Sequence, residues 1–219
     1  MDSNRDVAAW QARIERELVV RGGSDAAHDL GHLRRVLGLA RRIAAQEPGS
    51  EPLVITAAAL LHDIVNLPKN DPQRASSSRL AAVEASNILT AMGFRSDLLP
   101  AVAHAIEAHS FSAGIPPTTA EARALRDADR LDALGAIGIA RCFAVSGVLG
   151  RPLVDCDDPL AENRPLDDVR FALDHFQTKL LLLHEGMTTA VGQSIAMERT
   201  AYLREFMIRM ADECSQVNP

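Results

Sequence analysis

With 219 residues, 47% of them apolar, the chain is long enough to bury a sizeable core and too hydrophobic to stay disordered. Its net charge of −6 argues against generic DNA or RNA binding, because phosphate backbones select basic surfaces. An acidic protein can still take a small anion where a metal ion or local cations reverse the field.

Cys142, Cys156 and Cys214 are odd in number, widely separated and without a C-x-x-C, which points away from a disulfide framework or zinc knot and toward a reducing compartment. The opening stretch MDSNRDVAAWQARIEREL is charged throughout and has no signal-peptide core. The most apolar long window, ALGAIGIARCFAVSGVLG, is broken by Arg141 and rich in Gly, so it reads as a buried helix pair and not as a membrane span. A soluble cytoplasmic protein is the expectation.

Helical periodicity runs through almost the whole chain. The pattern predicts an amphipathic helix over about 6–20, ending at Gly22-Gly23, and a longer one over about 26–46 opened by Asp25. Leu30, Leu33, Leu37, Ala40 and Ala44 form the apolar stripe of the second helix, and Pro48-Gly49 stop it. The next helix, about 52–65, is apolar on every face and is therefore expected at the centre. After the polar loop NLPKNDPQRASSS come helices over about 76–92, with Met92-Gly93 as its C-cap signal, and over about 97–109. Thr118 or Thr119 can cap a helix that runs to about 129, and helical character continues to about 148. Residues 150–166 are irregular, and helices over about 167–184 and 189–213 read as a hairpin. No strand alternation, internal repeat or low-complexity tract is visible. The expected fold is all-α: a single domain over 1–219, a compact helical bundle with a core over about 24–150 and a C-terminal helical hairpin. That hairpin is apolar enough to pair two subunits as a homodimer or to complete the monomer's own core.

Four clusters carry chemistry: His28-Asp29-Leu-Gly-His32, His62-Asp63, the pair His104 and His109, and RDADRLDALG with Asp127, Asp129 and Asp132. Taken singly, His28, His104, His175 and His184 read as core or surface histidines, and Asp127 and Asp132 as solvated helix positions. The set His32, His62, Asp63 and Asp129 is different. Each member lies on or beside a predicted apolar helix, where an unpaired ionisable side chain is costly, and a divalent ion would remove that cost for all four. Neighbouring helix positions differ by about 100°, so His62 and Asp63 can both reach an ion near the helix end. Two imidazoles and two carboxylates suit Mn²⁺, Fe²⁺, Co²⁺, Ni²⁺ or Zn²⁺. An octahedral ion would keep two positions for a water and a substrate oxygen, a hydrolytic arrangement.

This pattern resembles the HD superfamily of metal-dependent phosphohydrolases. The stretches AHDLGHLRRV, LLHDIVNLPKNDPQRASSS, AIEAHSFS, DADRLDALGAIGIAR, FAVSG and RPLDDVRFALDHFQTKLL resemble its bacterial YedJ-like branch, from residue 26 to about 184. The resemblance implies an all-α HD fold and one ion on His32, His62, Asp63 and Asp129. It further implies hydrolysis of nucleoside triphosphates to monophosphate and pyrophosphate by a water on that ion, Mn²⁺ leading and Mg²⁺, Co²⁺, Ni²⁺, Fe²⁺ or Zn²⁺ as alternatives. Its partner is then a small phosphate ester, a nucleotide, with no nucleic acid and no membrane. Two other readings share the scaffold: a diiron oxygenase, and a non-catalytic nucleotide-binding regulatory module. One departure is plain. The third and fourth residues after Asp63 are Asn66 and Leu67, not the acidic pair of alarmone hydrolases, which argues against a mechanism that needs those acids.

Within this reading Asp63 serves as ligand and catalytic residue. Lys69 and Arg74, on the following loop, are the first candidates for phosphate contacts, with a solvated loop charge as the alternative. Arg130 is a second candidate. Lys179, on an otherwise apolar predicted helix, either snorkels to solvent or points into the site, and the resemblance favours the site. His104 and His109 lie about 140° apart on a helix, so they should not face one ion together. His109 is the candidate for substrate contact or proton transfer to the leaving group, and Asp29, with His28 behind it, for orienting His32.

Overall fold

Every regular element among the described residues is helical, as the periodicity predicts. The computed structural model describes residues 3–21, 30–65, 67 and 71–215; His28, Asp29, Asn66 and Lys69 lie outside them. The chain divides into two compact units, Met1–Asp129 and Arg130–Pro219.

In the first unit the helices are α1 (Ser3–Arg21), α2 (Leu30–Ala44), α3 (Pro52–Leu61), α4 (Ser77–Ala91) and α5 (Leu99–His109). Helix α6 (Ala120–Asp132) reaches the unit boundary in its last turn. The all-apolar segment is central: residues 53–61 of α3 are all buried, and α1, α2 and α5 pack on it. Its start is fixed locally. Pro52 occupies the first turn, where a missing N–H costs nothing, and the Glu51 carboxylate accepts from Leu53 N at 3.1 Å. Buried Glu121 in turn accepts from Glu51 N at 2.8 Å and ties α6 to the same helix start. Along α2 the stripe Leu33, Val36, Leu37, Ala40 and Ile43 is buried at helical spacing. Trp10 of α1 meets Phe94 edge-on at 4.8 Å. Phe94 follows Gly93, whose φ of 74° and backbone bonds to the last turn close α4 as expected. Thr119, one of the two proposed caps, accepts from Ala122 N, while Thr118 bonds the His104 ring.

Two acids depart from the sequence reading. Asp127 and Asp132 are buried, not solvated. Asp132 lies in the second unit and takes Arg141 Nη1 at 2.7 Å, so the charge that breaks the most apolar window is paired there.

The second unit holds α7 (Gly135–Val148), α8 (Asp174–Thr178) and α9 (Ala190–Ser215), with α9 packing on α7. Phe143, Phe176 and Phe206 join these three helices at centroid distances of 5.8–6.0 Å. The first arm of the expected hairpin is broken. Residues 167–173 are not helical, α8 lasts five residues, and a 3₁₀ segment Leu180–Gly186 follows Lys179, whose φ and ψ are −140° and −58°. The cause is a polar centre. Buried Asp174 accepts both guanidinium arms of Arg164, at 2.6 and 2.9 Å, and Asp167 N at 2.7 Å. Side-chain capture of a backbone donor competes with the helical ladder there.

Gly138 sets how tightly α7 begins. A Cβ on it would stand 2.1 Å from the carbonyl oxygen of Ala133, a backbone atom that cannot swing away. Gly138→Ala is expected to cost about 1–3 kcal/mol, read as a lowered urea midpoint. No single helix among the described residues is long and apolar enough to cross a membrane.

Candidate metal centre

The expected α3 ends four residues early, at Leu61, and the ending builds the site. The last carbonyls of a helix lack intrahelical partners. Here the His62 ring turns back, its Nδ1 donating to Ala59 O at 2.9 Å. That bond commits Nδ1–H, so Nε2 is the nitrogen that carries the lone pair whenever the ring is neutral. Helix α5 ends by the same device: His109, its last residue, places Nδ1 2.5 Å from Ile106 O. Two apolar helices therefore each finish in an imidazole whose Nε2 is free to face outward from the helix end.

Four elements bring their groups to one point. Nε2 of His32, on α2, lies 3.8 Å from Asp63 Oδ2 and 3.6 Å from Asp129 Oδ1. Nε2 of His62 lies 3.6 Å from Asp63 Oδ2 and 3.7 Å from Asp129 Oδ1. Asp63 turns its other oxygen to His109, 3.8 Å from Nε2. His32, His62, Asp63 and Asp129 are thus gathered as the sequence reading supposed. His109 joins them, sharing His62 and Asp63 in a second three-donor group. His104 does not join: its Nε2 accepts from Thr118 N at 3.1 Å.

These residues fit a divalent ion. Two donors each about 2.0–2.2 Å from one ion can be no more than about 4.4 Å apart, and all four histidine–carboxylate separations fall within that limit. The buried His62 Nε2 makes no hydrogen bond among the described residues, and an unprotonated imidazole nitrogen aimed at two carboxylates is an acceptor aimed at acceptors. A cation between them removes the conflict. The His32 and His62 side chains are at most 1% exposed, whereas Asp63 and Asp129 are 20% and 32% exposed.

Electrostatics without an ion point the same way. Burial disfavours a charged His62, but the carboxylates of Asp63 and Asp129 outweigh it and raise its pKa to about 9. Burial also opposes the Asp129 carboxylate, yet the imidazoles of His62, His109 and His32 hold it well below the usual carboxylate range. Burial, reinforced by the nearby His62 charge, pushes His109 below its ordinary value and keeps it neutral. In the metal-free protein a proton on His62 thus stands in for the ion. Its folded pKa is raised, so this contribution to stability is complete below the ordinary value of 6.5 and lost as pH rises through about 9. An entering ion must displace that proton. Apparent affinity for Mn²⁺ is therefore expected to rise about tenfold per pH unit from pH 7 and to level off above about 9. Chelator competition across that range checks it; a flat profile would contradict it.

Arg74 donates Nη1 to the carbonyl of Leu67, pinning the loop that follows Asp63. Arg130, in the second unit, gives Nη1 to Gly186 O at 2.6 Å. Lys179 is exposed at a non-helical junction, not on the apolar helix face expected for it. Lys69 and Asp29 lie outside the described residues.

The family model of the HD domain matches residues 29–134. YpgQ of Bacillus subtilis is 32% identical over 186 residues, covering 83% of this chain and 82% of YpgQ. The crystal structure of that protein in complex with ADP is similar at a TM-score of 0.71 and 28% identity, over 94% of this chain and 97% of that one. An HD-superfamily hydrolase from Bacillus thuringiensis is similar at a TM-score of 0.71 and 30% identity, over 96% and 97%.

Proposed function

Since the chain belongs to the HD-domain superfamily of metal-dependent phosphohydrolases, we propose that it hydrolyses nucleoside triphosphates to monophosphate and pyrophosphate, with Mn²⁺ as the leading ion. The observation that carries this reading is the convergence of His32, His62, Asp63 and Asp129 at separations of 3.6–3.8 Å. The ADP held by the Bacillus subtilis relative supports a nucleotide as substrate.

A bound divalent ion supplies charge that polarises a phosphoryl oxygen and lowers the pKa of a water beside it. The protein's own groups do the rest. His62 and His32 hold the buried wall of the site, and the partly open carboxylates of Asp63 and Asp129 mark the side from which substrate enters. Asp63 spans two tasks, with Oδ2 toward His32 and His62 and Oδ1 toward His109. His109, neutral and with its Nδ1 committed to Ile106, offers Nε2 as a proton acceptor for the attacking water. It returns that proton as the leaving oxygen departs. Lys69 and Arg74, which follow Asp63 in the chain, are the residues proposed to meet the phosphates, Arg74 doing so while its Nη1 holds the Leu67 carbonyl, and Asp29 is proposed to orient His32. Water attacks the α-phosphorus and pyrophosphate leaves.

Metal-stripped protein given Mn²⁺, Mg²⁺, Co²⁺ or Zn²⁺ with a panel of ribo- and deoxyribonucleoside triphosphates in ¹⁸O-water tests this. The expected products are pyrophosphate and a monophosphate carrying the label. Orthophosphate with an unlabelled diphosphate would place attack at the terminal phosphorus and overturn the pyrophosphohydrolase reading. Oxygen uptake in place of phosphate release would favour diiron chemistry.

A further inference from the structure

Away from the metal centre, two of the three cysteines meet. Sγ of Cys156, in the irregular loop of the second unit, lies 3.7 Å from Sγ of Cys214 in the last turn of α9. They are 58 residues apart in the chain, and side-chain contacts hold the loop around Cys156. Asp155 forms an ion pair with Arg164 Nε at 3.2 Å and accepts from Asp157 N at 3.1 Å, and Asp158 accepts from Glu162 N and Asn163 N. Cys156 is exposed and Cys214 half-buried, so solvent-borne reagents reach the pair. The third thiol, Cys142, is spoken for by the Ala172 carbonyl.

We propose that Cys156 and Cys214 form an oxidisable dithiol that closes to an intramolecular disulfide. A disulfide needs its sulfurs about 2.05 Å apart. From their 3.7 Å separation the sulfurs have about 1.7 Å to close. The oxidant is a small-molecule disulfide such as oxidised glutathione. The Cys156 thiolate attacks one sulfur of the oxidant, forming a mixed disulfide and releasing one thiolate. The Cys214 thiolate then attacks Cys156 Sγ and releases the second. Two protein thiols are oxidised, one external disulfide is reduced to two thiols, and the two thiol protons end on the released products. Exposed Cys156 is the first nucleophile. Burial and the neighbouring Cys156 raise the Cys214 thiol, which lowers its thiolate fraction and makes it the slower attacker, so its attack comes second, on the mixed disulfide held beside it. The product closes a long loop through the second unit, so the oxidised protein should unfold several degrees higher. In a reducing compartment the pair stays open.

The test is treatment of the full chain with oxidised glutathione, followed by alkylation and mass spectrometry. Expected is a monomer about 2 Da lighter than the reduced protein, with only Cys142 alkylated and a Cys156–Cys214 crosslinked peptide. In Cys214→Ser the mixed disulfide should persist on Cys156. Glutathione carried separately on both cysteines, a disulfide-linked dimer, or retention of both thiols would each overturn the proposal.

Discussion

Asp129→Ala is expected to lose its stoichiometric metal and to drop turnover by about 10³-fold or more, since an ion that polarises substrate and water is worth several kcal/mol. The reason is geometric and electrostatic together. Asp129 Oδ1 is within 3.7 Å of both buried imidazoles, and no other carboxylate besides Asp63 balances them among the described residues. Asp129→Asn separates the two contributions: it keeps the shape and one oxygen but removes the charge, and should also fail to hold the ion at neutral pH. His109→Gln should behave differently, retaining metal while losing about 10²-fold in kcat, because His109 faces Asp63 and not the full donor set. Metal analysis on desalted protein, alongside product release at saturating Mn²⁺, reads both quantities. Turnover of Asp129→Ala near that of the parent would remove this site from the chemistry.

Asp174→Ala should be the most destabilising single change outside the centre, at about 3–5 kcal/mol, with Tm lower by about 10 °C. Its carboxylate is fully buried and holds Arg164 by two bonds, at 2.6 and 2.9 Å. Without it the guanidinium, whose side chain is 18% exposed, is left with Asp155 at 3.2 Å as its close carboxylate, beside the Pro165 carbonyl and the Phe171 ring, and Asp167 N loses its acceptor. Removing one partner of a buried pair costs far more than the pair is worth, because the other charge stays behind. Double replacement of Arg164 and Asp174 by apolar residues should therefore recover much of the loss, and calorimetry of the three variants measures it. A single-variant cost below 1 kcal/mol would contradict the account.

The candidate metal centre was legible in the sequence because its residues break a rule that is otherwise kept. His32, His62, Asp63 and Asp129 stand where helical apolar periodicity leaves no room for an unpaired ionisable group. His109 was separable from His104 by helical phase alone, though not its place beside Asp63. The signal that would have found it is its position: like His62, it is the last residue an apolar helix can use before the chain turns. The early end of α3 was hidden for the same reason, since the ring-to-carbonyl bond from His62 to Ala59 replaces a backbone bond and leaves no mark in composition. In the second unit the apolar pattern over 167–184 suggested one helix. A carboxylate ten residues from its arginine outweighed that pattern, and pairing of this kind depends on a loop path that periodicity does not encode. Asp127 and Asp132 misled in the opposite sense, reading as surface acids although both are buried.

The most direct test is a crystal of the protein grown with Mn²⁺, with the ion located by its anomalous scattering. One strong peak per chain, with His32 Nε2, His62 Nε2, Asp63 Oδ2 and Asp129 Oδ1 all within about 2.0–2.3 Å, is the predicted result. A peak held only by His62, Asp63 and His109, or one remote from all of these residues, would contradict it.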